Sequence, residues 1–228
     1  MIKIFYLIPK RPDISDEQFH RHWREVHAQF ALRITGLRRY VQSHRIKHGG
    51  FGLSCPYEGV AEVWFDSLEA ARQMQQSREY REGAFADEPN FIDTSRLAWI
   101  ATQENVVLDG PAMAKDTPGV KALFFPKRKP ALSVADFQTY WRTKHGPIVP
   151  KTPGLRRYVQ CHVLSETYQG SVPTYDGVAE LWWPDLTSLE KAALSPEFRV
   201  EQLNDARQFV DVDHLEGFVA EENRVIWP

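Results

Sequence analysis

Gly36-Leu37-Arg38-Arg39-Tyr40-Val41-Gln42 returns unchanged as Gly154-Leu155-Arg156-Arg157-Tyr158-Val159-Gln160, 118 residues later. The same shift, without a gap, carries Phe19, Trp23, Arg24 and His27 onto Phe137, Trp141, Arg142 and His145, and Gly59-Val60-Ala61-Glu62 onto Gly177-Val178-Ala179-Glu180. It also carries Trp64 to Trp182, Phe91 and Asp93 to Phe209 and Asp211, and Glu104-Asn105 to Glu222-Asn223. About 33 positions of residues 2–108 are identical under this shift, so one fold is written twice. Gly110, Pro111 and Pro118 mark a linker over 109–118, between a first domain at 1–108 and a second at 119–228.

Both copies obey one grammar. Ile2 to Ile8 and Val120 to Phe125 are apolar, β-leaning runs stopped by prolines. Ser15 with Gln18, and Ser133 with Asp136, have the spacing of a helix N-terminus, in which one side chain caps free amides and another reaches back. Phe19, Trp23, Val26, His27 and Phe30 then recur at helical steps, as do Phe137, Tyr140, Trp141, His145 and Ile148. Leu37 to Ile46 and Tyr57 to Phe65 read as a hairpin across a loop with Gly49, Gly50 and Gly52. Asp66, or Asp185 in copy two, is expected to cap a second helix over Leu68 to Gln75 or Leu186 to Ala193. Ser77 and Ser195-Pro196 suit a short extra turn, and a last strand runs over Arg96 to Glu104 and His214 to Glu221. The order βαββαβ is an α+β, ferredoxin-like unit with one bare sheet face. Two such units in tandem can cover each other as an intrachain pseudo-dimer closing toward a barrel, with pairing of two whole chains left open.

Composition narrows the function. The 228 residues, 43% hydrophobic and 12% aromatic, can bury a sizeable core. The formal charge of −2 divides evenly, with 14 basic and 15 acidic residues on each side of the Gly110 boundary, so no nucleic-acid partner is expected. Ile4 to Ile8 is too short to span a bilayer and lacks a signal-peptide frame, which points to a cytoplasmic protein without membrane attachment. Cys55 and Cys161 do not correspond under the repeat and suggest neither a disulfide nor a thiolate metal site.

Phe19-His20-Arg21-His22-Trp23-Arg24-Glu25-Val26-His27, and Phe137 to His145 followed by Gly146-Pro147, resemble the helix of EthD-domain proteins. Gly-Val-Ala-Glu before Trp64 or Trp182 is similar to that family's third strand. The resemblance covers both halves. It implies the dimeric α+β barrel superfamily, whose members include cofactor-independent oxygenases, cyclases, dehydratases, decarboxylases and isomerases.

His27 and His145 are the candidate catalytic residues. Each lies one turn beyond a Trp and two beyond a Phe, so its ring should enter the crevice between helix and sheet, where burial favours the neutral base. A core histidine bonded to a backbone carbonyl fits the same pattern, and the family resemblance is what weighs for catalysis. On strand two, alternation puts Arg38, Tyr40, Gln42 and His44 on one face, with Arg156, Tyr158, Gln160 and His162 repeating them. The expected ligand-binding set is Trp23, Tyr40, His44 and Trp64, with Trp141, Tyr158, His162 and Trp182 in copy two. A solvated or interface face is the bland reading of the arginines.

Glu62 should pair across strands with Lys3, and Glu180 with Lys121, without a catalytic role. Asp93 and Asp211 should cap or turn the chain. No metal set emerges, His44 with His48 having only one counterpart in copy two, and nucleotide-binding patterns are missing, so no cofactor is expected. What remains is acid/base chemistry on a small aromatic or polyketide-like molecule, as a lyase or isomerase. An oxidoreductase acting on a phenolic or haem-like ligand and a non-catalytic binding protein are the alternatives. Copy two, with Gly146-Pro147 and Pro153-Gly154 after its histidine, looks the better formed, while Phe30 is expected to fill part of the first pocket.

Overall fold

In the computed structural model, residues 1–47, 51–170 and 172–228 are described. His48, Gly49 and Gly50, and with them part of the expected glycine-rich loop, lie outside the described residues.

Copy one runs β1 (Ile2–Ile8), a helix over residues 16–31, β2 (Arg39–Arg45), β3 (Gly59–Phe65), a helix over Leu68–Gln76, a further helical segment over 80–87 and β4 (Ala98–Leu108). Copy two repeats it with β5 (Val120–Phe125), a helix over 134–145, β6 (Arg157–Val163), β7 (Gly177–Trp183), a helix over Leu186–Ala193, helical residues 197–209 and β8 (Glu216–Ile226). Ser15 and Gln18 form the capping box, and the Ser133 hydroxyl accepts from the Asp136 amide. One expected cap is different. Ser67, aligned with Asp185 by the repeat, accepts from the Ala70 amide, while Asp66 turns outward to pair with Arg38 at 2.5 Å. Ser77 and Ser195 accept from the amides of Tyr80 and Phe198 and open the extra turns.

The eight strands close into one barrel in the order β1-β3-β2-β8-β5-β7-β6-β4. The halves therefore join edge to edge, β2 with β8 and β4 with β6, besides facing each other. Closure uses up every strand edge. It also explains why β4 and β8 outrun their expected ends: the added residues pair with the other copy, Val106 with Val159 and Ile226 with Tyr40.

Alternation along each strand sorts the side chains. Ile2, Ile4 and Ile8 pack outward under the helices with Phe19, Trp23, Tyr40, Ala61 and Val63. Phe5 and Leu7 point into the barrel and meet Val60, Ile100, Leu123, Phe125, Val159 and Phe218.

The barrel centre is charged. Lys3 Nζ lies 2.8 Å from Glu62 and 2.5 Å from Glu180, and Lys121 contacts Glu62, Glu180 at 3.2 Å and Glu222 at 2.8 Å. The expected pairs within each copy are thus one network across both, because Glu62 stands opposite Phe5 and its carboxylate reaches the axis. Burial, then the Glu62 carboxylate, push the Glu180 carboxyl up to about 7 against the pull of the two lysines. Glu104, Cys161 and Glu180 bring ligand-type atoms within 4.8 Å of one another. Lys3 already supplies the positive charge there, 3.6 Å from Glu104, so a metal would have to displace an ammonium.

Candidate active site

Each crevice is built from the first helix upward. Phe19 and Trp23 face the sheet, and at Trp23–His27 the helix takes a π turn, as it does at Trp141–His145. A π turn adds one residue to the circuit and redirects the side chains beyond it, a device frequent at functional sites. The extra space is held open from the sheet. Gln42 Nε2 donates to the Trp23 carbonyl at 2.7 Å, and Gln160 to that of Trp141 at 2.8 Å.

The indole rings are anchors. Trp23 Nε1 donates to the Tyr40 hydroxyl at 3.0 Å and Trp141 to Tyr158 at 2.9 Å. Under each ring lies a glycine: a Cβ on Gly59 would stand 2.4 Å from the Trp23 ring, and one on Gly177 2.5 Å from Trp141. The glycine that opens Gly-Val-Ala-Glu is therefore required by contact with the helix above it.

Beyond this anchor, His27 and His145 reach the cavities. His27 lines the first with Tyr6, Ile8, Tyr40, Phe65, Met74, Tyr80 and Glu88, in a space of about 590 Å³ counting its open mouth. His145 lines the second, of about 560 Å³, with Phe124, Trp141, Tyr158, Phe198, Leu203 and Phe209. Both rings are held by a residue that no sequence motif singles out. His27 Nδ1 lies 2.9 Å from Asp87 Oδ2, and His145 Nδ1 lies 2.8 Å from Asp205 Oδ2.

Asp87 also receives His22 Nε2 at 2.9 Å and Asn90 Nδ2 at 3.0 Å. Burial pushes its carboxyl up, but the hydrogen bonds from His27, Asn90 and His22 prevail and hold it at about 2. In copy two Tyr140 replaces His22, donating to Asp205 at 2.9 Å. An ionised carboxylate only accepts, so Nδ1 carries the proton and Nε2 carries the lone pair. Burial lowers the pKa of His145, with Asp205 pulling the other way, which keeps the ring neutral and basic near neutral pH.

Asp87 and Asp205 are identical under the repeat shift, and that is the one signal the sequence carries for them. Both sit just past a second π turn, Tyr80–Ala84 or Glu197–Gln202.

The expected ligand-binding residues separate into groups. Tyr40 and Tyr158 line the cavities, and their hydroxyl oxygens already accept from Trp and Gln, which frees the hydroxyl hydrogen to donate. Trp141 also lines its cavity, whereas the Trp23 ring is packed against Gly59 and His44. His44 and His162 lie behind the indoles, each bonded to its Gln at 3.2 Å, and His44 Nδ1 also meets His20 Nδ1 at 2.9 Å. Trp64 and Trp182 are on the opposite sheet face, inside the barrel, with Lys3 and Lys121 over their rings. Strand alternation forbids them the crevice. Phe30 leaves the first cavity unfilled, since its ring packs against Gly83. Asp93 and Asp211 serve turns, accepting from Ser95 at 2.6 Å and meeting His214 at 2.9 Å.

The sequence model of the EthD domain matches twice, over residues 11–95 and 129–213. Among curated proteins, the dehydratase aurZ of Gibberella zeae is 24% identical over 121 residues, which is 47% of this chain and 80% of that protein. Among solved structures, an anthrone oxidase-like protein superposes with a TM-score of 0.68 at 9% identity, over 98% of this chain and 93% of the other. A candidate monooxygenase from Lactobacillus acidophilus NCFM gives 0.56 at 12% identity, over 97% and 93%. At such identities the structural likeness concerns the fold. No described helix is long and apolar enough to cross a membrane.

Proposed function

This chain belongs to the EthD family, and on that premise we propose an acid–base enzyme of lyase or isomerase type, working without a cofactor on a small aromatic or polyketide-like carbonyl compound. The observation that carries the reading is the His–Asp pair, buried in copy one and part-buried in copy two, that opens onto an apolar cavity in each. A ligand ring lies between the aromatic walls, and the Tyr40 or Tyr158 hydroxyl donates to its carbonyl oxygen. His27 or His145 Nε2 then removes the proton next to that carbonyl. Asp87 or Asp205 fixes the ring and stabilises the imidazolium that forms. The likeness to a dehydratase supports elimination as the outcome.

The test uses 1-tetralone in heavy water, with exchange of the protons beside the carbonyl followed by NMR. Wild-type protein exchanges them above the buffer rate, and the variant carrying both His27→Ala and His145→Ala falls to that rate. A wild type that binds the ketone without exchanging it is a carrier, and the enzyme reading fails. Direct oxygen chemistry begins with the same deprotonation, so oxygen uptake on an anthrone separates an oxidoreductase from a lyase.

A further inference from the structure

The geometry points to Glu88 as a general acid in the first crevice, which makes that crevice, and not its copy, the place where a hydroxyl is expelled as water from a β-hydroxy carbonyl compound. This deepens the reading of His27 as the base and rests on it.

The two crevices share a base and the tyrosine assigned to the carbonyl, Tyr40 or Tyr158, but differ in the other groups that could protonate a leaving group. Tyr6, Tyr80 and Glu88 of the first cavity correspond, residue for residue, to Phe124, Phe198 and Ala206 of the second. Three polar groups in one are thus three apolar groups in the other. The second cavity does contain Gln202, but its amide is tied to Thr152 and carries no acidic proton.

Glu88 is placed to act. It lines the same cavity as His27, and its Oε1 accepts from Tyr80 Oη at 3.3 Å. Among the described residues Oε2 has no hydrogen-bond partner, which leaves it to hold a proton toward the cavity. The groups around it are Tyr80 and Tyr6, the Tyr40 phenol, the Asp87 carboxylate and His27. Burial pushes the Glu88 carboxyl up to about 7, with the Asp87 charge adding to the rise and the Tyr80 bond opposing it. Adjacent carboxyls are driven apart: Asp87 stays ionised to hold the base, and Glu88 holds its proton up to about 7. Such a division is how two carboxyl groups take different parts in one reaction.

The step balances. His27 Nε2 takes the proton from the carbon beside the carbonyl, and that C–H pair becomes the new C=C bond. The C–O bond to the β-hydroxyl breaks with its electrons on oxygen, and the Glu88 proton completes the water. His27 is left protonated and Glu88 ionised, and solvent exchange restores both.

The experiment compares two probes, 4-hydroxy-4-phenylbutan-2-one, which loses water to a strongly absorbing enone, and 4-phenylbutan-2-one, which can only exchange its protons. Glu88→Gln should slow elimination by a factor on the order of 10² and by far more than it slows exchange. The wild-type elimination profile should fall above about pH 7, where Glu88 ionises, and the variant should lack that limb. Elimination at the wild-type rate in Glu88→Gln, with the limb retained, overturns the assignment. As a measure independent of turnover, the carboxyl carbon signal that Glu88→Gln removes should titrate near 7 in the wild type, and titration near the ordinary glutamate value of 4.5 also overturns it. Absence of exchange by the wild type would instead remove His27 as the base, and the elimination proposal with it.

Discussion

Asp205 Oδ2 stands 2.8 Å from His145 Nδ1, across 60 residues of chain, and Asp87 meets His27 at 2.9 Å across the same separation. Two elements of each copy, both interrupted by a π turn, converge to make this one contact.

Asp205→Asn should leave the fold intact and lower proton exchange in the second crevice on the order of 10²-fold, measured with His27 already replaced. A positioning role predicts more than a loss. Because Asp205 raises the pKa of His145 against the lowering by burial, its removal should move the acid limb of the pH profile to lower pH. An unmoved limb would mean that the carboxylate serves packing alone.

His27→Ala and His145→Ala should each retain part of the exchange activity, since both crevices carry the pair, and only the double variant should reach the buffer rate. The sequence favours His145 on account of Gly146-Pro147 and sets Phe30 as an obstruction in its counterpart. With Phe30 outside the first cavity, that obstruction is gone. Equal loss of exchange from either single variant would fit two independent sites. Total loss from one alone would show the other to be silent.

Lys3→Met should cost about 3–5 kcal/mol by chemical denaturation, because it strips a cation from buried Glu62 and Glu180. Glu180→Gln tests the same network through pH. The folded carboxyl keeps its proton to about 7 against an ordinary 4.5, so between these values the folded chain binds the extra proton. Its contribution is present in full below 4.5 and is lost as pH rises through 7. Wild-type stability should therefore decline relative to Glu180→Gln from about pH 4.5 to pH 7, the window set by that shift. Parallel stability curves would show that Glu180 is ionised throughout.

The first copy expressed alone over 1–108 should not remain a monomer, because β2 and β4 lose β8 and β6 and present open edges. Sedimentation should find a homodimer or larger species, whereas the full chain should hold its mass on dilution. A stable monomeric half would contradict the dependence of one copy on the other.

The duplication, the βαββαβ order and the placing of His27 and His145 on the helix face toward the sheet are legible in the chain before it folds. These are local or repeated signals: caps such as Ser15, alternation along β1, and the steps that put His27 and His145 one turn beyond a Trp. What these residues meet is settled by folding. The face of β3 that Trp64 occupies is set by alternation, but only barrel closure made that face an interior with Lys3 at its centre. Asp87 finds His27 because two π turns shift the register of distant helices, and no periodicity rule at 3.6 residues anticipates an inserted residue. The mixing of Lys3 and Lys121 with the glutamates of both copies has the same origin. A strand pattern specifies which side chains point inward, and the meeting of those from opposite walls depends on the size of the closed barrel.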